Sequence, residues 1–188
     1  MPKDHAALPR THVRRSDRAV EDDDWIRATL RGAAYGHLAT VHEDQPFINS
    51  NLFVYDENAN IIYMHTARYG RTRANVEREE KVCFTVSEMG RLLPADVALE
   101  FSVEYRSVVV FGRASIVEEE AEATRALQQL LDKYFPHLEP GRDYRPPVPE
   151  ELKRTSVYRI AIDDWSGKKK EVEAFPGAFT YGDFPEAG

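Results

Sequence analysis

Cysteine is almost missing from this sequence, and other absences narrow what the protein does. Of 188 residues one is cysteine, so no intrachain disulfide can form and a disulfide-stapled scaffold is excluded. Cys83 itself sits in the apolar run Val82–Val86 and reads as a small core residue. No apolar run approaches the about 20 residues of a membrane-spanning helix, and no apolar core follows the basic N-terminus as a signal peptide requires. A cytoplasmic protein with no membrane partner is the expectation. Excess positive charge is missing too: 25 Lys and Arg face 32 Asp and Glu, for a net charge of −7. A nucleic-acid partner would call for the opposite balance, because affinity there rests on neutralising phosphates. His5, His12, His37, His42 and His137 show no metal-ligand spacing, and no serine stands in a nucleophile elbow. Neither a bound metal nor serine hydrolysis is expected. The glycine patterns of a Walker loop and of a dinucleotide fingerprint are absent as well.

What is present centres on Ile61–Val86, IIYMHTARYGRTRANVEREEKVCFTV. Alternation puts Ile61, Tyr63 and His65 on one face of a strand and Ile62, Met64 and Thr66 on the other. Ala67-Arg68-Tyr69-Gly70-Arg71-Thr72-Arg73 then reads as a sharp turn opening a short helix, and Val82–Val86 as a second strand. Arg68, Arg71 and Arg73 crowd the start of that helix, where the dipole disfavours cations. A phosphate would resolve the conflict, since guanidinium matches it in shape and charge. Solvated surface arginines are the plainer alternative.

The length suits one domain: an N-terminal arm over 1–20, a body over 21–170 and a tail over 171–188. Glu21–Asp24 caps a helix running to about Arg31. From Tyr35 the period becomes two, predicting strands at Tyr35–His42, Pro46–Tyr55 and Ile61–Thr66 with turns at 43–45 and 56–60. This is a meander moving toward a barrel. Asn49-Ser50-Asn51 is unusually polar for a buried strand and needs partners, either a bound ring rich in carbonyl and N–H groups or water and a neighbouring loop. Ser87–Asp96 reads as a loop, Val97–Glu104 and Arg106–Val117 as two strands with Gly112 at a bulge or close approach. Glu118–Tyr134 is an amphipathic helix whose Leu127, Leu130, Leu131 and Tyr134 read as core packing. Pro136–Pro149 is an extended connector, and Thr155–Ile162 the last strand. Trp165, Gly167 and Lys168–Lys170 follow, either a solvated strand end or a second contact for an anion or ring.

Taken together, Pro46–Tyr55, Tyr63–Asn75, Glu104–Val117 and Lys153–Lys168 resemble the pyridoxamine 5'-phosphate oxidase-like FMN-binding split-barrel family, in particular its nitroimidazole-resistance branch. The resemblance implies a mainly β, six-stranded antiparallel split barrel with flanking helices, and a homodimer binding FMN in the grooves between subunits. It implies that His65, Thr66, Ala67, Gly70, Arg71 and Arg73 hold the phosphate and ribityl chain. Asn49, Ser50 and Asn51 would lie along the ring, and Arg106, Ser107, Trp165 and Lys168 would stand near the cofactor. His65 matches a histidine placed near the substrate and is the implied proton donor. The implied activity is FMN-dependent two-electron reduction of a small planar acceptor such as a nitroimidazole, with NAD(P)H as electron donor. Pyridoxamine phosphate oxidation, or a flavin or haem carrier or sensor, is the alternative, haem being the less favoured cofactor.

Overall fold

A computed structural model describes residues 4–184. The first three residues of the expected arm and the last four of the expected tail lie outside the described residues. In chain order the elements are β1 (Ala19–Val20), α1 (Asp23–Gly32), β2 (Gly36–His42), β3 (Gln45–Asn51), β4 (Phe53–Asp56), β5 (Ile61–Ala67), α2 (Arg71–Val76) and β6 (Lys81–Leu93). β7 (Ser102–Ile116), α3 (Glu120–Tyr134), α4 (Pro149–Leu152) and β8 (Thr155–Lys170) complete it. The strands follow the order β3-β2-β6-β7-β8-β5-β4, with β1 added on β8. That order has two ends, so the sheet does not close. This is the mainly antiparallel, split-barrel type of architecture that the resemblance implied, with eight strands among the described residues where six were expected.

Part of the difference has a local cause. The single strand expected over Pro46–Tyr55 breaks at Leu52. Asn51 is responsible: its Oδ1 accepts the Leu52 N–H at 2.8 Å and its Nδ2 donates to the His65 carbonyl at 2.5 Å. A side chain that bonds the backbone locally competes with the sheet ladder. Elsewhere the strands are longer than the sequence suggested. Ser87–Leu93, expected as loop, continues β6, and the two strands expected after Val97 are one, preceded by a 3-10 turn at Ala98–Glu100. The last strand runs on through Trp165 to Lys170. In Ser87–Leu93 the polar residues that look like loop find partners across the sheet, as with Arg91 on Glu104 at 2.6 and 2.7 Å.

The chain groups into two compact units. One contains the chain up to Ala33, Val86–Val109 and the chain from Ser166. Here α1 is capped by Asp22, whose carboxylate accepts from Asp24 N at 2.9 Å and Trp25 N at 3.3 Å. Ile26 and Leu30 are its buried face. The Arg91–Glu104 pair also holds the tail, because Val172 N–H donates to Glu104 Oε1 at 2.9 Å and Arg91 donates to the Val172 carbonyl at 2.7 Å. Leu92 and Phe179 exchange backbone hydrogen bonds at 2.8 and 3.2 Å, so the aromatic tail packs rather than trails.

The other unit contains Ala34–Thr85 and Val110–Trp165. β2 and β3 form a hairpin whose turn residues Glu43 and Asp44 have φ of 50° and 60°, the pair of positive angles that lets a two-residue turn match strand twist. β5 pairs with β4 on one side and with β8 on the other, His65 lying opposite Val157. α3 packs its Ala123 and Ala126 on Ile61, Tyr63 and Val157. Gly112 is the close approach that its position predicted: a Cβ there would run into the Ala161 carbonyl. The end of α3 is fastened by Tyr134, whose hydroxyl accepts the Phe53 N–H at 3.1 Å and faces the Ala34 and Phe53 carbonyls at 2.9 and 3.0 Å.

Candidate functional site

The turn after β5 is positioned from below. Thr72, Asn75 and Val76 are the buried face of α2, and Asn75 Nδ2 donates to Thr40 Oγ1 in β2 at 2.9 Å. Arg68 N–H donates to the Arg154 carbonyl at 2.9 Å, tying the start of the turn to the segment that enters β8. Gly70 holds φ 156° and ψ 173°, a conformation open essentially to glycine alone. Nothing lies within 4 Å of where its Cβ would be, so backbone conformation rather than crowding demands the glycine.

The three arginines take different positions. Arg73 is 15% exposed and turned onto the protein: Nε donates to Glu77 at 2.8 Å and a terminal nitrogen to Ser156 Oγ at 2.9 Å. Arg71 is exposed, Arg68 half-buried, and among the described residues neither side chain has a partner. Arg68, Tyr69, Gly70, Arg73 and Glu77 border a concavity of about 310 Å³. Of the two arginines without a side-chain partner, Arg68 borders this hollow and Arg71 stands next to it in the chain, on the far side of Gly70; a guanidinium there is chemically suited to a phosphate.

The polar triplet before Leu52 is on an edge strand, not a buried one, and protein groups already serve it. Asn49 Nδ2 donates to Thr72 Oγ1 at 3.1 Å, which joins β3 to the residue beside Arg71. Ser50 Oγ lies 2.8 Å from His37 Nδ1. Asn51 makes the two backbone bonds that end β3. Thr66 Oγ1 lies 2.8 Å from Tyr158 OH and donates to the Ala67 carbonyl at 2.9 Å, so this end of β5 is internally satisfied.

His65 stands apart from these. Its ring is on the Ile61–Tyr63 face and lines a cavity of about 520 Å³ beside Leu52, Leu127, Leu131, Tyr134 and Phe135. Nδ1 is buried without a hydrogen-bond partner among the described residues. Burial pushes the imidazole pKa below its ordinary value, so the ring is neutral at pH 7.

Trp165 shares this unit, its N–H bonded to Asp164 at 2.9 Å. Arg106, Ser107 and Lys168 belong to the other unit. There Arg106 is paired with Glu88, Ser107 Oγ reaches the Lys168 carbonyl at 3.5 Å, and Lys168 Nζ lies 5.4 Å from the Tyr105 ring centre. Sequence reasoning missed the cavity walls. Leu127 and Leu131 were read as core; Leu127 does pack on the Ile61–Tyr63–Val157 cluster, and both also line the cavity, for which the one available signal was an apolar stripe on α3 that continues into Phe135.

Comparison with known proteins shows the family and the fold. The sequence model of the family described as pyridoxamine 5'-phosphate oxidase matches residues 22–169. The chain belongs to that family. Among solved structures, this pyridoxamine 5'-phosphate oxidase family member is similar to the flavocytochrome Anf3 from Azotobacter vinelandii. They share 27% identity over 96% of this chain and 89% of that one, with a TM-score of 0.75. It shares its fold with the FAD and heme binding protein from Mycobacterium smegmatis, at 20% identity, 85% and 75% coverage and a TM-score of 0.73. It also shares it with a suspected 5-nitroimidazole antibiotic resistance protein from Bacteroides thetaiotaomicron, at 19% identity, 80% and 86% coverage and a TM-score of 0.66. No curated protein matches the chain. Among the described residues no helix is long and apolar enough to cross a membrane.

Proposed function

We propose that this protein is an FMN-dependent oxidoreductase that passes two electrons to a small planar acceptor, nitroimidazoles being the substrate class first to test. The observation that carries the reading is the turn after β5: a glycine-only conformation at Gly70 beside Arg68 and Arg71, whose side chains have no partner among the described residues. Membership of the family and similarity to a flavocytochrome over 96% of the chain support a flavin as the guest. When bound, FMN supplies the two-electron chemistry. Arg71 and Arg68 hold its phosphate, and Arg73, braced by Glu77 and Ser156, keeps α2 and the turn in place. Asn49, already fixed on Thr72, and Ser50 present polar groups along the ring.

In this reading the protein works as a homodimer. β3 is an end strand with exposed apolar side chains, Phe47 and Ile48, the latter 64% exposed, and such an edge is normally covered. A second copy laid there would also enclose Asn49 and Ser50. The pyridoxamine 5'-phosphate oxidase family model favours a second substrate, pyridoxamine 5'-phosphate, for the same flavin.

The test is an FMN titration followed by anaerobic reduction with NAD(P)H and addition of a nitroimidazole. Tight FMN binding, bleaching by the nicotinamide and reoxidation with loss of the nitro absorbance support the proposal. Conversion of pyridoxamine 5'-phosphate instead supports the second substrate, and flavin bound without turnover makes the protein a carrier. Failure to bind FMN refutes the reading.

A further inference from the structure

We propose that Arg18, Tyr105 and Lys168 form an anion site for a phosphate group, free or esterified, other than that of the flavin. All three belong to one compact unit, and the turn after β5, to which FMN was assigned, belongs to the other. The site therefore stands whether or not the flavin reading does.

The sheet brings the three residues together. β1 pairs with β8 so that Ala19 lies opposite Lys168, and Arg18 closes the 3-10 turn Ser16–Arg18 just before it. β7 is the neighbour of β8 in the sheet, and it carries Tyr105, whose ring centre is 5.4 Å from Lys168 Nζ.

The surroundings then leave these cations without an anion. Of the three consecutive lysines, Lys169 pairs with Glu171 at 3.1 Å and Lys170 donates to Ser102 Oγ at 2.5 Å. Lys168 is half-buried and has no carboxylate partner among the described residues. Asp17 stands near Arg18, but Arg15 holds it with two hydrogen bonds at 2.7 and 2.5 Å. Arg18 Nε is left 3.9 Å from that carboxylate, beyond hydrogen-bond reach, although its side chain is only 23% exposed. Charges drawn partly out of water without a bonded partner are costly.

A third observation points to the same guest. Tyr105 OH is buried with no hydrogen-bond partner among the described residues. Such an atom calls for a group that the chain does not supply. Burial pushes the phenol pKa up, and the Arg18 guanidinium and Lys168 ammonium more than offset it, so the value lies below the ordinary one. The hydroxyl thus sits in a positive field with its O–H unspent.

The count of charges and donors selects phosphate. Arg15, Arg18 and Lys168 bring three positive charges against the one negative charge of Asp17, which leaves two. A phosphate ester carries about −1.5 to −2 at pH 7 and three acceptor oxygens, one each for the guanidinium, the ammonium and the phenol. A carboxylate would leave a cation uncompensated, and a metal ion would be repelled. Of the lysines that read as either a solvated strand end or a second anion contact, Lys168 alone is the contact.

The experiment is isothermal calorimetry on the full-length protein in phosphate-free buffer, with FMN saturating so that the turn after β5 is filled. The probes are inorganic phosphate, acetate, NADPH, and NADH, which lacks the phosphate monoester. Saturable binding of one phosphate per chain is the expected result, with acetate weaker by about tenfold or more. NADPH held more tightly than NADH assigns the group to the electron donor, and equal affinities assign it to free phosphate. Arg18→Gln, Lys168→Gln and Tyr105→Phe should each weaken phosphate binding by about tenfold or more, the scale for a charge-assisted hydrogen bond. Lys169→Gln should bind as the parent does. Tyr105→Phe should keep the parent Tm, because its hydroxyl bonds nothing in the protein, whereas a structural hydroxyl would lower it. Absence of saturation, acetate as tight as phosphate, or parent affinity in Arg18→Gln and Tyr105→Phe would each overturn the proposal. Phosphate binding abolished by FMN would do so too, by placing the flavin phosphate here. If FMN itself does not bind, only the flavin reading fails: the same titration on Arg71→Ala, which removes a guanidinium from the other turn, still reads this site.

Discussion

Replacing Arg71 by alanine separates a ligand contact from a structural one, because Arg73 two residues on provides the contrast. Arg71 is exposed and bonded to no described residue, so its removal costs the fold within about 0.5 kcal/mol, as for an ordinary surface change. If its guanidinium holds the FMN phosphate, the loss is one charge-assisted contact of about 1.5–3 kcal/mol, or roughly 10- to 150-fold in Kd. Arg73→Ala removes the Ser156 bond and the Glu77 pair. The i,i+4 pair is worth about 0.3–0.5 kcal/mol and the hydrogen bond about 1 kcal/mol, so stability falls by about 1–2 kcal/mol. For a chain of this length that lowers Tm by about 2–4 °C per kcal/mol. Isothermal calorimetry with FMN and thermal unfolding without it, run on both variants, give the four numbers needed. Arg71→Ala should change Kd and leave Tm alone; Arg73→Ala should lower Tm. An unchanged Kd for Arg71→Ala would refute the phosphate assignment, however Arg73 behaves.

Tyr134→Phe should cost about 1–3 kcal/mol in urea unfolding, since it strips the fully buried Phe53 of the acceptor for its N–H; a loss under about 0.5 kcal/mol would show that the clasp contributes little. The Arg91 guanidinium, followed by the Val172 N–H, holds the Glu104 carboxyl down to about 2, below its ordinary value of 4.5. Because the folded value is the lower one, the attachment is complete above about pH 4.5 and is lost as pH falls toward 2. Amide exchange at Val172 should accelerate across that window, and Glu104→Gln should flatten the dependence. A Val172 amide indifferent to pH in the parent protein would contradict the linkage.

Much of the architecture was legible along the chain because its signals are local. Asp22 before a helical stripe, Glu43-Asp44 between alternating runs and the acidic start of α3 each act within a few residues. The longer strands were not legible. Ser87–Leu93 is polar enough to read as loop, and only partners such as Glu104 for Arg91 and Arg106 for Glu88 make extended structure stable there. The Asn49-Ser50-Asn51 triplet was noticed for its polarity, but its consequence, a break in the strand through two backbone bonds of Asn51, depends on His65 being alongside.

By itself the sequence determined the class of the molecule: an acidic chain with one cysteine, a meander of alternating strands and an arginine-rich turn around a glycine. The folded structure decided which of those arginines is free and which is spent on Ser156 and Glu77. It also showed that the α3 leucines, besides packing on the core, line a cavity with His65. The reason is physical: backbone preference and hydrophobic period act between near neighbours, whereas desolvation and pairing of a charge or an imidazole depend on groups brought together from distant parts of the chain.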